Sequence, residues 1–231
     1  MTRPAGPRPV DLAYDAVVLA GGRAARLGGA SKADLVVDGT ALLDHALAAA
    51  CRARRVVVVG PPDLAGALER PPAGAVVPGE RAAAGPGAGE PASETGEPRV
   101  RLTREDPPFG GPVAGLAAGL RALPDPRAPW VLLLAVDVPR AAHAVAALER
   151  AVVHDPADGA HLVRDGRAQW LVGLYRRAAL DAALDGTDPD GASMRRLVGA
   201  LRCTEVPDEA GWSDDIDTPA DAARLGARPG R

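Results

Sequence analysis

Lysine is almost missing from this chain. Of the 27 Lys and Arg residues among its 231, Lys32 alone is lysine, so every other basic side chain is a guanidinium. An excess of positive charge is missing as well. The 30 Asp and Glu residues leave a formal net charge of −3, which gives no global field for a nucleic-acid backbone and confines anion binding to a local site. Cysteine is scarce: Cys51 and Cys203 stand far apart and at no metal-ligand spacing, which argues against a zinc motif and predicts buried reduced thiols rather than a disulfide. No apolar run approaches a membrane span, since residues 130–136 make a run of only seven against the roughly 20 that a bilayer-crossing helix needs. Residues 1–11 are rich in Pro and Arg around no apolar centre, unlike a secretory signal. These absences predict a soluble, cytoplasmic protein.

What is present is enough apolar material, 47% of the residues, to build the core of one substantial α/β domain. Residues 15–19, 55–59 and 130–136 are short, apolar and rich in Val and Leu, as strands buried on both faces of a parallel sheet are. Between the first two lie a glycine-rich loop, a short strand at residues 33–37 ending in the turn Asp38-Gly39, and a helix capped by Thr40 with Leu43, Ala46, Leu47 and Ala50 on one face. That order is a βαβ unit. Residues 99–103 form a further strand, and Pro112 opens a helix whose apolar face is Val113, Leu116, Leu120 and Leu123. A hairpin follows, turning at Asp165-Gly166, then two helices over residues 176–184 and 191–199, and a last strand at 201–206. Residues 71–98 differ in character: six glycines and six prolines in 28 residues leave too little apolar surface to offset the entropy of ordering them, and they read as an insertion around a short strand at 75–77.

The chemistry concentrates in the turn after the first strand, Leu19-Ala20-Gly21-Gly22-Arg23-Ala24-Ala25-Arg26-Leu27-Gly28-Gly29-Ala30-Ser31-Lys32. Glycines without side chains let backbone N–H groups approach an anion, and Arg23, Arg26 and Lys32 add full charges. The spacing fits neither a dinucleotide fingerprint, which needs G-x-G-x-x-G, nor a P-loop, which needs G-x-x-x-x-G-K-[ST]. It does fit L-A-G-G-x-x-x-R-x-G-x-x-x-K, and in this it resembles the nucleotidyltransferases with a Rossmann-like fold, in particular the molybdenum cofactor guanylyltransferases and their close relatives. The resemblance implies a Rossmann-like three-layer α/β/α sandwich with a mostly parallel central sheet. It runs from Asp15 to about Leu225, within a domain expected over residues 13–226, with 1–12 an N-terminal tail and 227–231 a C-terminal tail.

Other segments extend the resemblance. Asp106 and Gly111-Pro112-Val113-Ala114-Gly115 match a D…G-P-[LV]-x-G segment of the family, which implies that Asp106 contacts the nucleotide. Asp137-Val138-Pro139 matches the family's C-D-x-P segment except for Ala135-Val136 in front of it. An acid delivered by a central strand into the ligand crevice also suits Mg²⁺ on chemical grounds. Asp215-Ile216-Asp217-Thr218-Pro219-Ala220-Asp221 resembles V-N-T-P-E-D with Asp in place of Asn, which makes Asp217 a second metal ligand and Asp215 its alternative. Thr218-Pro219 is equally an ordinary helix start. Gln169 and Trp170 match a strand that lines the acceptor side, although Trp170 serves as well for packing. Arg195 and Arg196 are either substrate contacts or surface charge.

These matches imply transfer of GMP from GTP to molybdopterin with loss of pyrophosphate. Leu19, Ala20, Gly21, Gly22, Arg23, Lys32, Asp106 and Asp137 would bind the nucleotide, Arg26, Lys32 and Asp137 would act on the reacting phosphates, and Mg²⁺ would be the cofactor. Relatives that use CTP, or that act on sugar or alcohol phosphates, share the first loop, so the base and the acceptor stay open at this stage. A non-catalytic nucleotide-binding module would keep the loop and tolerate loss of Asp137. A nicotinamide oxidoreductase would need an acid after the second core strand, where Val59-Gly60-Pro61 stands instead.

Overall fold

The three apolar runs lie side by side. The computed structural model describes residues 12–21, 32–69, 99–155 and 157–230. In chain order its elements are β1 (Tyr14–Leu19), β2 (Leu35–Val37), β3 (Thr40–Ala41), α1 (Leu42–Ala49), β4 (Val56–Val59), α2 (Ala65–Leu68), β5 (Val100–Thr103), α3 (Pro112–Ala122), β6 (Trp130–Ala135), α4 (Ala141–His154), β7 (Gly159–Arg164), β8 (Arg167–Arg176), α5 (Arg177–Leu184), α6 (Met194–Val198), β9 (Cys203–Pro207), α7 (Pro219–Arg224) and β10 (Arg228–Pro229). The central sheet has the order β5-β4-β1-β6-β8-β7-β9. Within it β5, β4, β1 and β6 pair in parallel, as do β7 and β9, and β8 is antiparallel to both of its neighbours. The sheet is therefore mostly parallel, as expected.

Alternate residues of the central strands divide between two cores. Ala16, Val18, Val56, Val58, Leu132 and Leu134 pack with residues of α1 and α4 on one face. Val17, Val57, Val59, Val131 and Leu133 pack with residues of α3, α5 and α6 on the other. Covering both faces is what makes such strands read as continuous apolar runs. Two helical layers with a sheet between them form the three-layer α/β/α sandwich.

Helix α3 departs from the expected single apolar face, because every residue from Val113 to Leu120 is buried. Glycine is the cause: a Cβ at Gly119 would stand 2.5 Å from Val17 Cγ1 and one at Gly115 would stand 3.1 Å from Leu19 Cδ2, so the helix backbone lies directly on β1. Ordinarily Gly→Ala inside a helix stabilises by about 1 kcal/mol. At Gly119 overpacking is the larger effect, and Gly119→Ala is expected to cost about 1–3 kcal/mol in urea unfolding. Gly66→Ala in α2, where nothing lies within 4 Å of the added carbon, should be neutral or stabilising. Equal effects of the two substitutions would refute this packing account.

Several local expectations need correction. Thr40 does not cap α1: it pairs with Val37 in the small β10-β2-β3 sheet, and Ala41 stands at the cap position with no side-chain hydrogen bond. The Asp38-Gly39 turn, with φ of 50° and 81°, folds the chain tightly enough to extend the pairing through Thr40. Arg228 and Pro229, placed from sequence in a C-terminal tail, pair with Val36 and Leu35 of β2. Both cysteines are free, but Cys51 is exposed rather than buried. Burial pushes the Cys203 thiol up to about 11, with the Asp158 charge adding to it, which keeps that sulfur protonated and unreactive. His45 Nε2 lies 3.0 Å from the Val37 carbonyl, the packing role a lone helical histidine usually has. Among the described residues no helix is long and apolar enough to cross a membrane. The N-terminal tail and the 71–98 insertion lie outside the described residues, Leu12 excepted.

Candidate active site

Backbone hydrogen bonds lace together the carboxyl ends of the parallel strands. Val136 N–H donates to the Leu19 carbonyl (3.0 Å), Ala20 N–H to that of Val59 (2.8 Å) and Gly60 N–H to that of Thr103 (2.9 Å). Beyond these ends opens a cleft of about 590 Å³ lined by residues that include Leu19, Gly21, Val59, Glu105, Pro112 and Asp137. Its volume suits a small-molecule ligand, and its place is where open α/β sheets bind one.

Three side chains distant in sequence converge at the β6 side of the cleft. Lys32, in a single 3₁₀ turn before β2, donates from Nζ to Asp137 Oδ2 at 2.7 Å and also to Asp217 Oδ1. Burial works against the ammonium charge, but the carboxylates of Asp137 and Asp217 outweigh it and raise the lysine pKa above its ordinary value. Asp215 has much exposed surface, yet desolvation first, and then the charges of Asp217 and Asp137, raise its pKa. Among the described residues no three His, Cys, Asp or Glu side chains gather into a metal-holding group. The arrangement is two carboxylates around one cation.

Asp217 owes its position to a segment that is bolted down at four points. The buried carboxylate of Asp208 accepts from the N–H groups of Trp212 and Ser213, both at 2.8 Å, which closes the turn after β9. Asp214 is gripped by Arg164 Nε at 3.1 Å and Arg224 Nη1 at 2.6 Å. Ile216, fully buried, donates its N–H to the Asp137 carbonyl at 3.1 Å, which sets residue 217 beside the end of β6. Thr218 and Asp221 then form a reciprocal capping box that starts α7 at Pro219. The resembled motif is thus an ordinary helix start that also presents an acid.

Comparison with known proteins accords with this geometry. The family model for the MobA-like NTP transferase domain matches residues 16–205. The chain belongs to the MobA-like NTP transferase family. A molybdenum cofactor guanylyltransferase of Acidiphilium cryptum is 34% identical over 209 residues, which cover 89% of this chain and 90% of that protein. Among solved structures, molybdopterin-guanine dinucleotide biosynthesis protein A of Archaeoglobus fulgidus superposes with a TM-score of 0.61 at 18% identity, covering 92% of this chain and 96% of that one. The 2-C-methyl-D-erythritol 4-phosphate cytidylyltransferase of Thermus thermophilus gives 0.57 at 20% identity, covering 93% and 97%. These two structural likenesses establish the fold. The MobA-like family is one of nucleotidyltransferases, and this member is such an enzyme.

The residues singled out from sequence fare unequally in this MobA-like transferase. Leu19, Gly21 and Asp137 line the cleft, and Lys32 and Asp217 meet Asp137 at its edge. Ala20 is buried beneath the turn, in the core. Gly22, Arg23 and Arg26 lie outside the described residues. Asp106 is exposed and is not among the cleft-lining residues; its neighbour Glu105 lines the cleft instead. The reason is local: Glu105 Oε1 accepts from Phe109 N–H at 3.2 Å, which turns that carboxylate inward and leaves the adjacent acid to solvent.

The hairpin strand that carries Gln169 and Trp170 presents Leu171 to the cleft. The β7–β8 register jumps from His161↔Gly173 to Leu162↔Gln169, so Trp170, Leu171 and Val172 form a bulge that β7 does not match. Tyr175 Oη donates to the Trp170 carbonyl at 2.8 Å and holds that bulge. Leu171 thereby reaches the cleft, while Trp170 packs with its ring centroid 4.4 Å from that of His161. Gln169 donates within its own hairpin, to the Arg167 carbonyl at 3.3 Å. Arg195 is exposed on α6 and does not line the cleft. Glu105, Phe109 and Leu171 line the cleft and were not chosen from sequence, and neither were Val59, Ala135 and Val136 at the strand ends. Glu105 and Leu171 directly adjoin chosen residues, the only signal available for them.

Proposed function

We propose that this enzyme transfers GMP from GTP to the terminal phosphate of molybdopterin, releasing pyrophosphate. An acceptor phosphate oxygen attacks the α-phosphorus; the new P–O bond forms as the bond between Pα and its bridging oxygen to the β-phosphorus breaks, and that oxygen leaves with the pyrophosphate. A phosphate nucleophile is already anionic near neutral pH, so the reaction needs alignment and charge neutralisation more than a base. The observation that carries the reading is the meeting of Lys32, Asp137 and Asp217 at the rim of the cleft, beside the glycine turn that ends β1.

In this reading Lys32 turns from the two carboxylates to the triphosphate, and the backbone of Gly21 lets the phosphates approach closely. The sequence match assigns Gly22, Arg23 and Arg26 to the same triphosphate. Asp137 and Asp217 fit Mg²⁺: both offer hard oxygen atoms, and both are gathered around one cation, the Lys32 ammonium. Mg²⁺ takes few protein ligands and completes its shell with water and phosphate oxygens, so two carboxylates suffice. When bound, the ion neutralises charge on the transferring phosphoryl group. Asp217 is preferred to Asp215 because it shares a cation with Asp137.

The test is to incubate the protein with Mg²⁺, molybdopterin and each of GTP, CTP, ATP and UTP in turn while following pyrophosphate release. Turnover with GTP is the expected result. Turnover with CTP alone would remove the guanylyl assignment, and none with any triphosphate would remove the transferase reading.

A further inference from the structure

We propose that Arg164 is a positioning residue for the metal site: by holding Asp214 it sets the direction from which the Asp217 carboxylate meets the ion. The proposal rests on the reading of Asp137 and Asp217 as metal ligands and concerns how the second of them is kept in place.

Arg164 is the last residue of β7. Strands β6 and β7 are both antiparallel to β8 and so run in the same sense, which puts Arg164 at the same edge of the sheet as Asp137. From there Arg164 Nε pairs with Asp214 Oδ1 at 3.1 Å. Arg164 Nη1 lies 3.9 Å from Asp208 Oδ2, a distance that contributes charge rather than a hydrogen bond. Both acids are withdrawn from water, with the Asp208 side chain 0% and the Asp214 side chain 11% exposed. Burial alone would raise the Asp208 carboxyl, but hydrogen bonds from Ser213 and Trp212, and then the Arg164 charge, hold it below the usual carboxylate range. The backbone leaves room for this guanidinium. Gly211 has φ of +73°, and a Cβ there would stand 2.7 Å from Arg164 Nη1 and 2.9 Å from Asp214 Oδ2.

Asp214 has a second partner, but that one travels with it. Arg224, whose Nη1 lies 2.6 Å from Asp214 Oδ2, belongs to α7, beyond Asp217 in the same stretch of chain. A bond within a segment stiffens it without fixing where it lies. Arg164 belongs to the central sheet and supplies that reference. The Ile216 N–H on the Asp137 carbonyl gives one fixed point, which leaves the flanking residues free to rotate about it. The chain from Asp214 to Asp217 is at most about 11 Å long, so a second fixed point at Asp214 removes much of that freedom. Orientation is what a metal ligand needs from the groups behind it.

Titration of the full chain with Mn²⁺ alone, followed by paramagnetic resonance, tests this. Arg164→Gln is expected to weaken Mn²⁺ about tenfold, the low end for loss of a group that supports a metal ligand, and by no more than Asp217→Asn does. Half-maximal pyrophosphate release should need correspondingly more Mg²⁺, with most of the turnover recovered at saturation. Arg164→Lys, which keeps the charge, should fall between parent and glutamine variant. Arg127→Gln, which removes an exposed pair with Asp125, should bind Mn²⁺ as the parent does. Adding Arg164→Gln to Asp214→Asn should change little further, because the effect runs through Asp214. Parental Mn²⁺ affinity in Arg164→Gln, or additive losses in the double variant, would overturn the proposal. So would weaker GTP binding by Arg164→Gln in the presence of a chelator, which would make Arg164 a substrate contact. Should Arg164→Gln not fold, Arg164→Lys and Asp214→Asn decide by the same titration. A parent whose Mn²⁺ affinity is untouched by Asp137→Asn would overturn the metal reading itself.

Discussion

Replacing Lys32 with alanine is expected to slow pyrophosphate release by about two to three orders of magnitude, the usual consequence of removing one charged or hydrogen-bonding group aimed at a developing phosphate charge. The protein should still fold. Lys32 is a partly exposed side chain whose partners are Asp137 and a half-exposed Asp217, and ion pairs of that kind contribute little to stability. In the proposed reaction its role is local electrostatics: it places the chain's single lysine ammonium beside the two carboxylates, where the triphosphate would lie. Lys32→Arg should fall well short of the parent, because a planar guanidinium cannot place a compact charge between phosphate oxygens. The alanine variant should also bind Mn²⁺ more tightly without nucleotide, since Asp137 and Asp217 then lack their internal cation. Unchanged turnover in the alanine variant, with an unchanged melting temperature, would discredit the assigned role.

Asp137→Asn should be the more damaging change, with turnover falling by about three orders of magnitude or more. Asp137 lies just past the end of the fully buried β6, and its side chain is only 18% exposed, so water does not readily take the place of the lost charge. Asn keeps the size and a carbonyl oxygen, which preserves the fold and isolates the effect of charge. Mn²⁺ binding measured by paramagnetic resonance should weaken in parallel. Asp217→Asn should weaken both less, because that side chain is 51% exposed and water can take its place. A fully active Asp137→Asn protein would mean that the transfer does not depend on the Asp137 charge, and would remove the metal-holding role from that residue.

Local signals in the chain carried far in this protein, and where they failed the reason was side-chain direction. Buried parallel strands announce themselves as Val- and Leu-rich runs, and β1, β4 and β6 form where such runs stand. That Asp137 would stand in the cleft was legible because it directly follows the most apolar of them. Asp106 stands outside the cleft lining because two acids adjoin, and composition cannot tell which one a hydrogen bond to Phe109 N–H will turn inward. For Trp170 the packing alternative is the one the structure shows, because a bulge in β8 brings Leu171 to the cleft lining. A one-residue change of register exchanges the two faces of a strand, and nothing local in the hairpin specifies it.

The amino-acid order alone placed the buried parallel strands and the singular lysine, because apolar patterning acts over a few residues, and the layer architecture followed from the family resemblance that the motifs carry. Only the tertiary structure decided which acids meet that lysine. Asp137 is 105 residues from Lys32 and Asp217 is 185. Their meeting depends on β6 lying next to β1 and on Ile216 being buried with its N–H on the Asp137 carbonyl. Such contacts are set by how whole elements pack, and packing is a property of the assembled core rather than of any segment within it.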